Sequence, residues 1–190
     1  MFNDFLYHHG VKGMKWGVRR YQNKDGTHTP LGRARDRARD RKRYSSDDKV
    51  FISGKVRYDE PLNRKMREEV DRIIKANAQV LIGDAPGADT RVQEYLASKN
   101  YDNVIVYTTD PQVRNNVGNW AVKTISGNGH TEERLIRRQK DIAMTQESTR
   151  GFAITSADDD PESAMSNNIN RLRDQGLRVR IFDYKTNRWI

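Results

Sequence analysis

The chain has 190 residues, with 35 Lys plus Arg against 26 Asp plus Glu and no cysteine, which excludes disulfide frameworks, thiolate zinc sites and cysteine nucleophiles. Apolar residues make up 35% of the sequence, and no run approaches the ~20 residues of a membrane-spanning helix, so no membrane partner is expected. The opening MFNDFLYHHG lacks a basic start ahead of an apolar block, so the expectation is an intracellular protein without a secretory leader.

The net charge of +9 is unevenly distributed. Residues 1–44 hold 12 Lys plus Arg and 4 Asp plus Glu, a net of +8, whereas residues 45–190 hold 23 and 22, a net of +1. The basicity therefore belongs to an appendage, and the remaining 146 residues have the size of one domain with one core. Two parts are predicted, a basic recognition segment over 1–44 and a folded domain over 45–190.

The first part carries five glycines before residue 33, few aliphatics and no helical or strand period, so it is expected to be largely unstructured. Its end alternates Arg with Ala or Asp. The four-residue spacing of Arg33, Arg37 and Arg41 allows a short exposed helix over Gly32 to Tyr44, marginal in isolation because nothing apolar docks it.

From Lys49 the texture changes. Short, continuously apolar runs rich in β-branched residues, as strands buried on both faces should be, occur at KVFISG (49–54), QVLI (79–82), NVIVYTT (103–109), RGFAITS (150–156) and LRVRIFD (177–183). Between them lie amphipathic stretches at 61–78, 90–99, 131–148 and 161–176. Leu62, Met66, Val70, Ile73 and Ile74 fall at helical spacing in the first, and Leu135, Ile136, Ile142 and Ala143 in the third. Pro61 and Pro161 suit first-turn positions, and Gly176 suits a helix C-terminus. Five strands alternating with four helices predict an α/β fold, a doubly wound five-stranded parallel sheet with helices on both faces.

In such a sheet ligands bind beyond the carboxyl ends of the strands. Gly83-Asp84-Ala85-Pro86-Gly87-Ala88-Asp89 follows the second strand and opens a helix. Two glycines there allow backbone amides to approach an anion at the positive helix end; the alternative is a tight turn with Asp89 as helix cap. No Gly-Lys-Ser/Thr follows, so this is not a Walker loop. Ser53-Gly54-Lys55 ends the first strand, and Lys55 or Arg57 can meet an anion, against the alternative of a solvated basic loop.

The string KVFISGKVRYDEPLNRKMREEVDRIIKANAQVLIGDAPGADTRVQEYLASKNYDNVIVY, with its glycine turn after the first strand and Gly-x-x-x-Gly-Ala-Asp after the second, resembles the SLOG superfamily. That superfamily of Rossmann-like nucleotide-ligand proteins includes the Lonely Guy phosphoribohydrolases and the DNA-processing protein A family. RLIRRQKDIAMTQESTRGFAI is similar to its arginine-bearing helix, and SADDDPESAMSNNINRLRDQGLRVRIF to its final loop-helix-strand; the match covers about residues 49–183. The resemblance implies a Rossmann-like fold, homo-oligomers and a site for a nucleotide or nucleoside-derived small molecule. Gly54, Gly83, Gly87 and Asp89 would shape that site, Arg138 would face it, and Ser163 or Ser166 with Asn167 would hold phosphate; Ser53, Lys55, Arg57, Asp84, Ala85 and Ala88 of the same two loops are further ligand-binding candidates. The Lonely Guy motif Pro-Gly-Gly-x-Gly-Thr-x-x-Glu is absent, its place taken by Asp158-Asp159-Asp160-Pro161-Glu162-Ser163. Carboxylates stabilise the oxocarbenium-like state of N-glycosidic cleavage and protonate a departing base, so Asp89, Asp160 and Glu162 are the catalytic candidates; the alternative is a solvated acidic loop at the positive end of the last helix.

No metal or other cofactor is expected. Consecutive aspartates seldom converge on a cation, and His8-His9 lacks further ligands. In the long connection 108–131, Trp120 either stacks on a base or covers a sheet edge, and His130 is expected to be an exposed polar residue.

YHHGVKGMKWGVRRYQNKDGT resembles a short element of tailed-bacteriophage and prophage proteins, often those of heads and structural modules. The resemblance implies a phage or prophage protein in the host bacterial cytoplasm or on the virion. The cationic-aromatic character of the segment suits docking to a protein groove, as on a virion protein, or to DNA. Two functions follow as expectations: binding, with N-glycosidic hydrolysis, of a nucleotide or nucleoside derivative bearing on host nucleotide metabolism or signalling, or non-catalytic nucleic-acid binding through residues 1–44.

Overall fold

The structure is a computed structural model that describes residues 21–23, 25–41, 43–126 and 132–190, with backbone alone at 36, 37 and 39–41. It divides into two units, one ending at Arg43 and the other spanning Tyr44–Ile190. In the first, helix α1 runs Pro30–Arg41, where the four-residue spacing of arginines allowed a short helix over Gly32 to Tyr44; it starts two residues earlier and ends three residues sooner. The Tyr21 ring lies 4.6 Å from the Arg35 guanidinium.

The second unit holds strands β1 (Lys49–Gly54), β2 (Gln79–Gly83), β3 (Val104–Thr108), β4 (Ala121–Thr124), β5 (Arg150–Thr155), β6 (Arg178–Asp183) and β7 (Arg188–Trp189). Its helices are α2 (Arg64–Lys75), α3 (Ala88–Ser98), α4 (Glu133–Glu147) and α5 (Ala164–Asp174). The sheet order is β4-β3-β2-β1-β5-β6-β7; every pairing is parallel except β6 with β7. The chain steps outward from β1 through β2, β3 and β4, returns to the other side of β1 as β5, and steps outward again. The order therefore reverses between β1 and β5.

Seven strands stand where five were expected. β4, Ala-Val-Lys-Thr, is exposed along its whole length; as an edge strand held by register from Ile105↔Ala121 to Thr108↔Thr124, it has no apolar run to announce it. β7 is two residues folded back on β6 through a turn in which Asn187 takes a φ of 55°. Pro61 and Pro161 lie outside the first turns, two residues before the caps Asn63 and Ser163, whose side chains accept from the amides of Met66 and Ser166. Gly176, at φ 74°, follows the cap Gln175 of α5.

Alternation along each strand splits the core between two faces. Val50, Ile52, Val80, Ile82, Val104, Val106, Phe152 and Ile154 pack with Met66, Val70 and Ile73 of α2 and Val92 and Leu96 of α3. On the opposite face, Phe51, Leu81 and Tyr107 pack with Met144 of α4 and Leu172 of α5, and Ala153 and Ile181 with Met165 and Ile169. Fully burying such side chains stabilises by about 1.5–3 kcal/mol each. That fixes the sheet, and with it the loops beyond its carboxyl edge.

Candidate functional site

Where β1, β2 and β5 end, the loops and helix faces above them enclose a cavity of about 600 Å³. Ser53, Gly54 and Lys55 reach it from β1, and Gly83, Ala85 and Asp89 from the β2–α3 turn. Arg114 reaches it from the loop after β3, Arg137, Lys140 and Asp141 from α4, and Asp159, Asp160 and Ser163 from the β5–α5 loop. Phe51, Ile52, Met144 and Met165 supply its apolar wall.

The glycines show how the site is assembled. A Cβ on Gly83 would lie 2.5 Å from Asp89 Oδ2 and 3.1 Å from Lys140 Nζ, so a carboxylate and an ammonium occupy the space a side chain would take. A Cβ on Gly54 would lie 2.4 Å from Ala88 Cβ, and one on Gly87 would lie 2.2 Å from the Val56 carbonyl oxygen. Gly87 has a φ of 85°, and the Ala88 amide donates to the Lys55 carbonyl at 3.0 Å. Gly54 and Gly87 thus let the end of β1 close against the start of α3. The expected anion cradle at this turn already has an occupant: Asp89, in the first turn of α3, accepts from the Ala85 amide.

Burial pushes the Asp89 carboxyl up to about 7, helped by the neighbouring carboxylates of Asp141 and Asp84 and opposed by Lys140. A carboxyl poised there is half protonated at neutral pH, the range a general acid or base needs. Asp141 is raised too, chiefly by burial. Asp84 is the contrast. It is fully buried, but burial is outweighed by Arg114, which donates from Nη2 at 2.7 Å and Nε at 3.1 Å, by Thr108 Oγ1 at 2.8 Å, and by Lys140 Nζ at 3.6 Å. Its carboxyl falls to about 2. Asp159 pairs with Lys55 across the mouth and accepts from the Ser156 amide at 2.8 Å and Thr155 Oγ1 at 2.9 Å. Burial raises its carboxyl, but these donors hold it below the ordinary range. Lys55 is raised in turn by Asp159 and then by Tyr184.

Of the residues singled out from the sequence, Ser53, Gly54, Lys55, Gly83, Ala85, Asp89, Asp160 and Ser163 meet at the cavity. Asp84 lies behind its wall, and Gly87 and Ala88 serve packing. Arg57, Arg138, Glu162 and Asn167 are exposed away from the lining, and Ser166 donates to the Asp160 carbonyl at 2.9 Å. Arg137 and Lys140, rather than Arg138, face the cavity. Trp120 is 8% exposed and donates from Nε1 to the Tyr101 carbonyl at 2.8 Å, so it belongs to the core. His130 lies outside the described residues. Sequence reasoning missed Arg114, Lys140 and Asp141, whereas Asp159 belongs to the acidic loop it singled out. Lys140 left a signal, since Ile136, Lys140 and Met144 recur every four residues and place a charge on a helix stripe that is otherwise apolar. Among the described residues, no group of three or more acidic or histidine side chains is arranged to hold a metal ion.

Fold and site together define a mostly parallel α/β protein with a charged cavity at the carboxyl edge of its sheet. Over residues 2–23 the chain matches a family of unknown function (DUF7211), a stretch confined to the N-terminal segment. No curated protein and no solved structure matches it.

Proposed function

We propose that the Tyr44–Ile190 unit is a Rossmann-like domain of SLOG type that binds a nucleotide or nucleoside derivative and cleaves its N-glycosidic bond. The observation that carries this reading is the pairing of place and chemistry. A cavity within the range of small-molecule sites opens beside the reversal in strand order, and a carboxyl held near 7 faces it. In the proposed reaction protonated Asp89 gives its proton to the departing base as the C1′–N bond breaks, the bonding pair leaving with the base. The Asp160 carboxyl group stabilises the oxocarbenium-like sugar, and water adds at C1′ and gives its proton back to the Asp89 carboxylate, releasing the free pentose or its phosphate.

The test is a thermal-shift and chromatographic screen of the full chain against ribo- and deoxyribonucleosides and their phosphates. Saturable stabilisation with release of free base, the release lost in Asp89→Asn, is the expected result; a panel that shifts nothing overturns the reading.

A second reading is favoured by one observation, the concentration of 12 of the 35 cations in residues 1–44, five of them arginines spaced along α1. In it this segment anchors a phage or prophage protein to DNA or to a virion surface. DNA binding that falls steeply with salt and vanishes on removing residues 1–44 supports it; binding that survives the deletion refutes it.

A further inference from the structure

The cavity's cations are already spoken for. Lys55 is paired with Asp159, and Arg137 with Glu133. Arg114 grips Asp84 through two nitrogens and lies 3.6 Å from Asp110, and Lys140 lies 3.6 Å from the same Asp84. These four are the Lys and Arg residues that line the space, and Asp89, Asp141 and Asp160 line it as further acids. No surplus of positive charge faces a guest. What does face it is hydrogen-bonding and apolar: the Ser53 side chain, the Asp160 carboxyl group, a wall of Phe51, Met144 and Met165, and Val56, 56% exposed at the mouth.

A 5′-phosphate brings about two negative charges at pH 7. To bind here it must face carboxylates or pull a cation from a partner it already holds; this costs little at Arg137, whose pair with Glu133 is exposed at the rim, and more at Lys55, Arg114 and Lys140, whose partners are buried. A nucleoside asks for neither: its hydroxyls can donate to a carboxylate and its base can lie on the apolar wall. On the nucleotide-type reading above, we infer that the cavity selects an uncharged nucleoside-type glycoside and discriminates against its 5′-phosphorylated forms, because each cation that lines it is neutralised in advance by the protein's own acids.

The experiment is a calorimetric titration of the full chain with adenosine, guanosine, cytidine, uridine and thymidine, each beside its 5′-monophosphate and 5′-triphosphate. It is run at about 0.15 M salt, which screens charges more than about 8 Å apart and so weakens non-specific attraction of phosphates to the basic residues 1–44. Tripolyphosphate is the control for binding to that segment, and displacement of bound nucleoside identifies binding in the cavity. The nucleoside that binds is expected to do so at least about tenfold more tightly than its monophosphate, with the triphosphate weaker still and unable to displace it.

Asp159→Asn supplies the converse. The amide oxygen can keep the bonds from Ser156 and Thr155 that Oδ2 now accepts, while Lys55 loses its counter-charge. The ratio of monophosphate to nucleoside affinity is expected to rise about tenfold. Phosphates that bind the wild-type cavity as tightly as nucleosides, or a ratio unmoved in the variant, overturn this inference and leave the nucleotide-type reading standing. Failure of every nucleoside and nucleotide to bind overturns both.

Discussion

Asp89→Asn should make the protein more stable in alkaline solution and inactive in the same stroke. An acid whose folded pKa lies above its unfolded value binds its proton more tightly when folded, so stability falls as pH rises from the unfolded value to the folded one and is level outside that window. For Asp89 the window runs from 3.8 to about 7. At 1.36 kcal/mol per unit, the ionised carboxylate costs the fold about 4 kcal/mol above pH 7. Solvent reaching the carboxyl through the cavity trims this toward about 2 kcal/mol. Asparagine is neutral throughout, has nearly the same volume and keeps an oxygen to accept from the Ala85 amide. The variant should therefore match the wild type near pH 4 and exceed it by about 2–4 kcal/mol at pH 8, a sizeable part of a 5–15 kcal/mol stability. Urea unfolding followed by the fluorescence of Trp120 and Trp189 reads the difference at both pH values, and base release in the same preparations reads the loss of the proton donor. A variant no more stable than wild type at pH 8, or a gain of equal size at pH 4, refutes the assignment of a strained carboxyl to this position.

Asp84→Asn should act in the opposite sense. Its carboxyl is stabilised from 3.8 down to about 2, so the variant should lose about 2–3 kcal/mol at pH 7, the gap closing as pH falls through that window; a gap that persists at pH 2 refutes the ion-pair account. Gly87→Ala should cost at least about 2–3 kcal/mol, because the left-handed backbone is strained for alanine and the new methyl meets the Val56 carbonyl. Gly176→Ala shares the positive φ but has nothing within 4 Å of the added Cβ, so it should cost about 1 kcal/mol; equal urea midpoints for the two would refute the packing role of Gly87.

The parallel core was legible because burial on both faces leaves a mark in the residues themselves. KVFISG, VIVYT and RGFAIT are apolar at consecutive positions, and the strands observed match them to within a residue or so. The two edge elements left no such mark. β4 is held by backbone hydrogen bonds to β3, which carry no information in the side chains of Ala-Val-Lys-Thr, and β7 is too short to show a period. The prolines misled by two residues because asparagine and serine, which offer a side-chain acceptor to the helix amides, outcompete a residue whose only virtue at a helix start is a fixed φ.

The site was legible in its glycines and not in its charges, and the reason is distance along the chain. Gly54 and Gly83 end strands, so their position beyond the sheet follows from the fold alone. The partners that set the chemistry come from elsewhere: Asp84 is held by Arg114, thirty residues on, and Lys55 by Asp159, more than a hundred residues on. A glycine pattern suggests a place for an anion; only the tertiary pairing shows that the protein's own carboxylates have taken it. Gly83 makes the point in a single residue. Read along the chain it frees a backbone amide for a phosphate, whereas in the folded protein the absent side chain makes room for Asp89 and Lys140. The same loop that in a phosphate-binding protein would receive a ligand's charge here holds the protein's own carboxyl and ammonium groups.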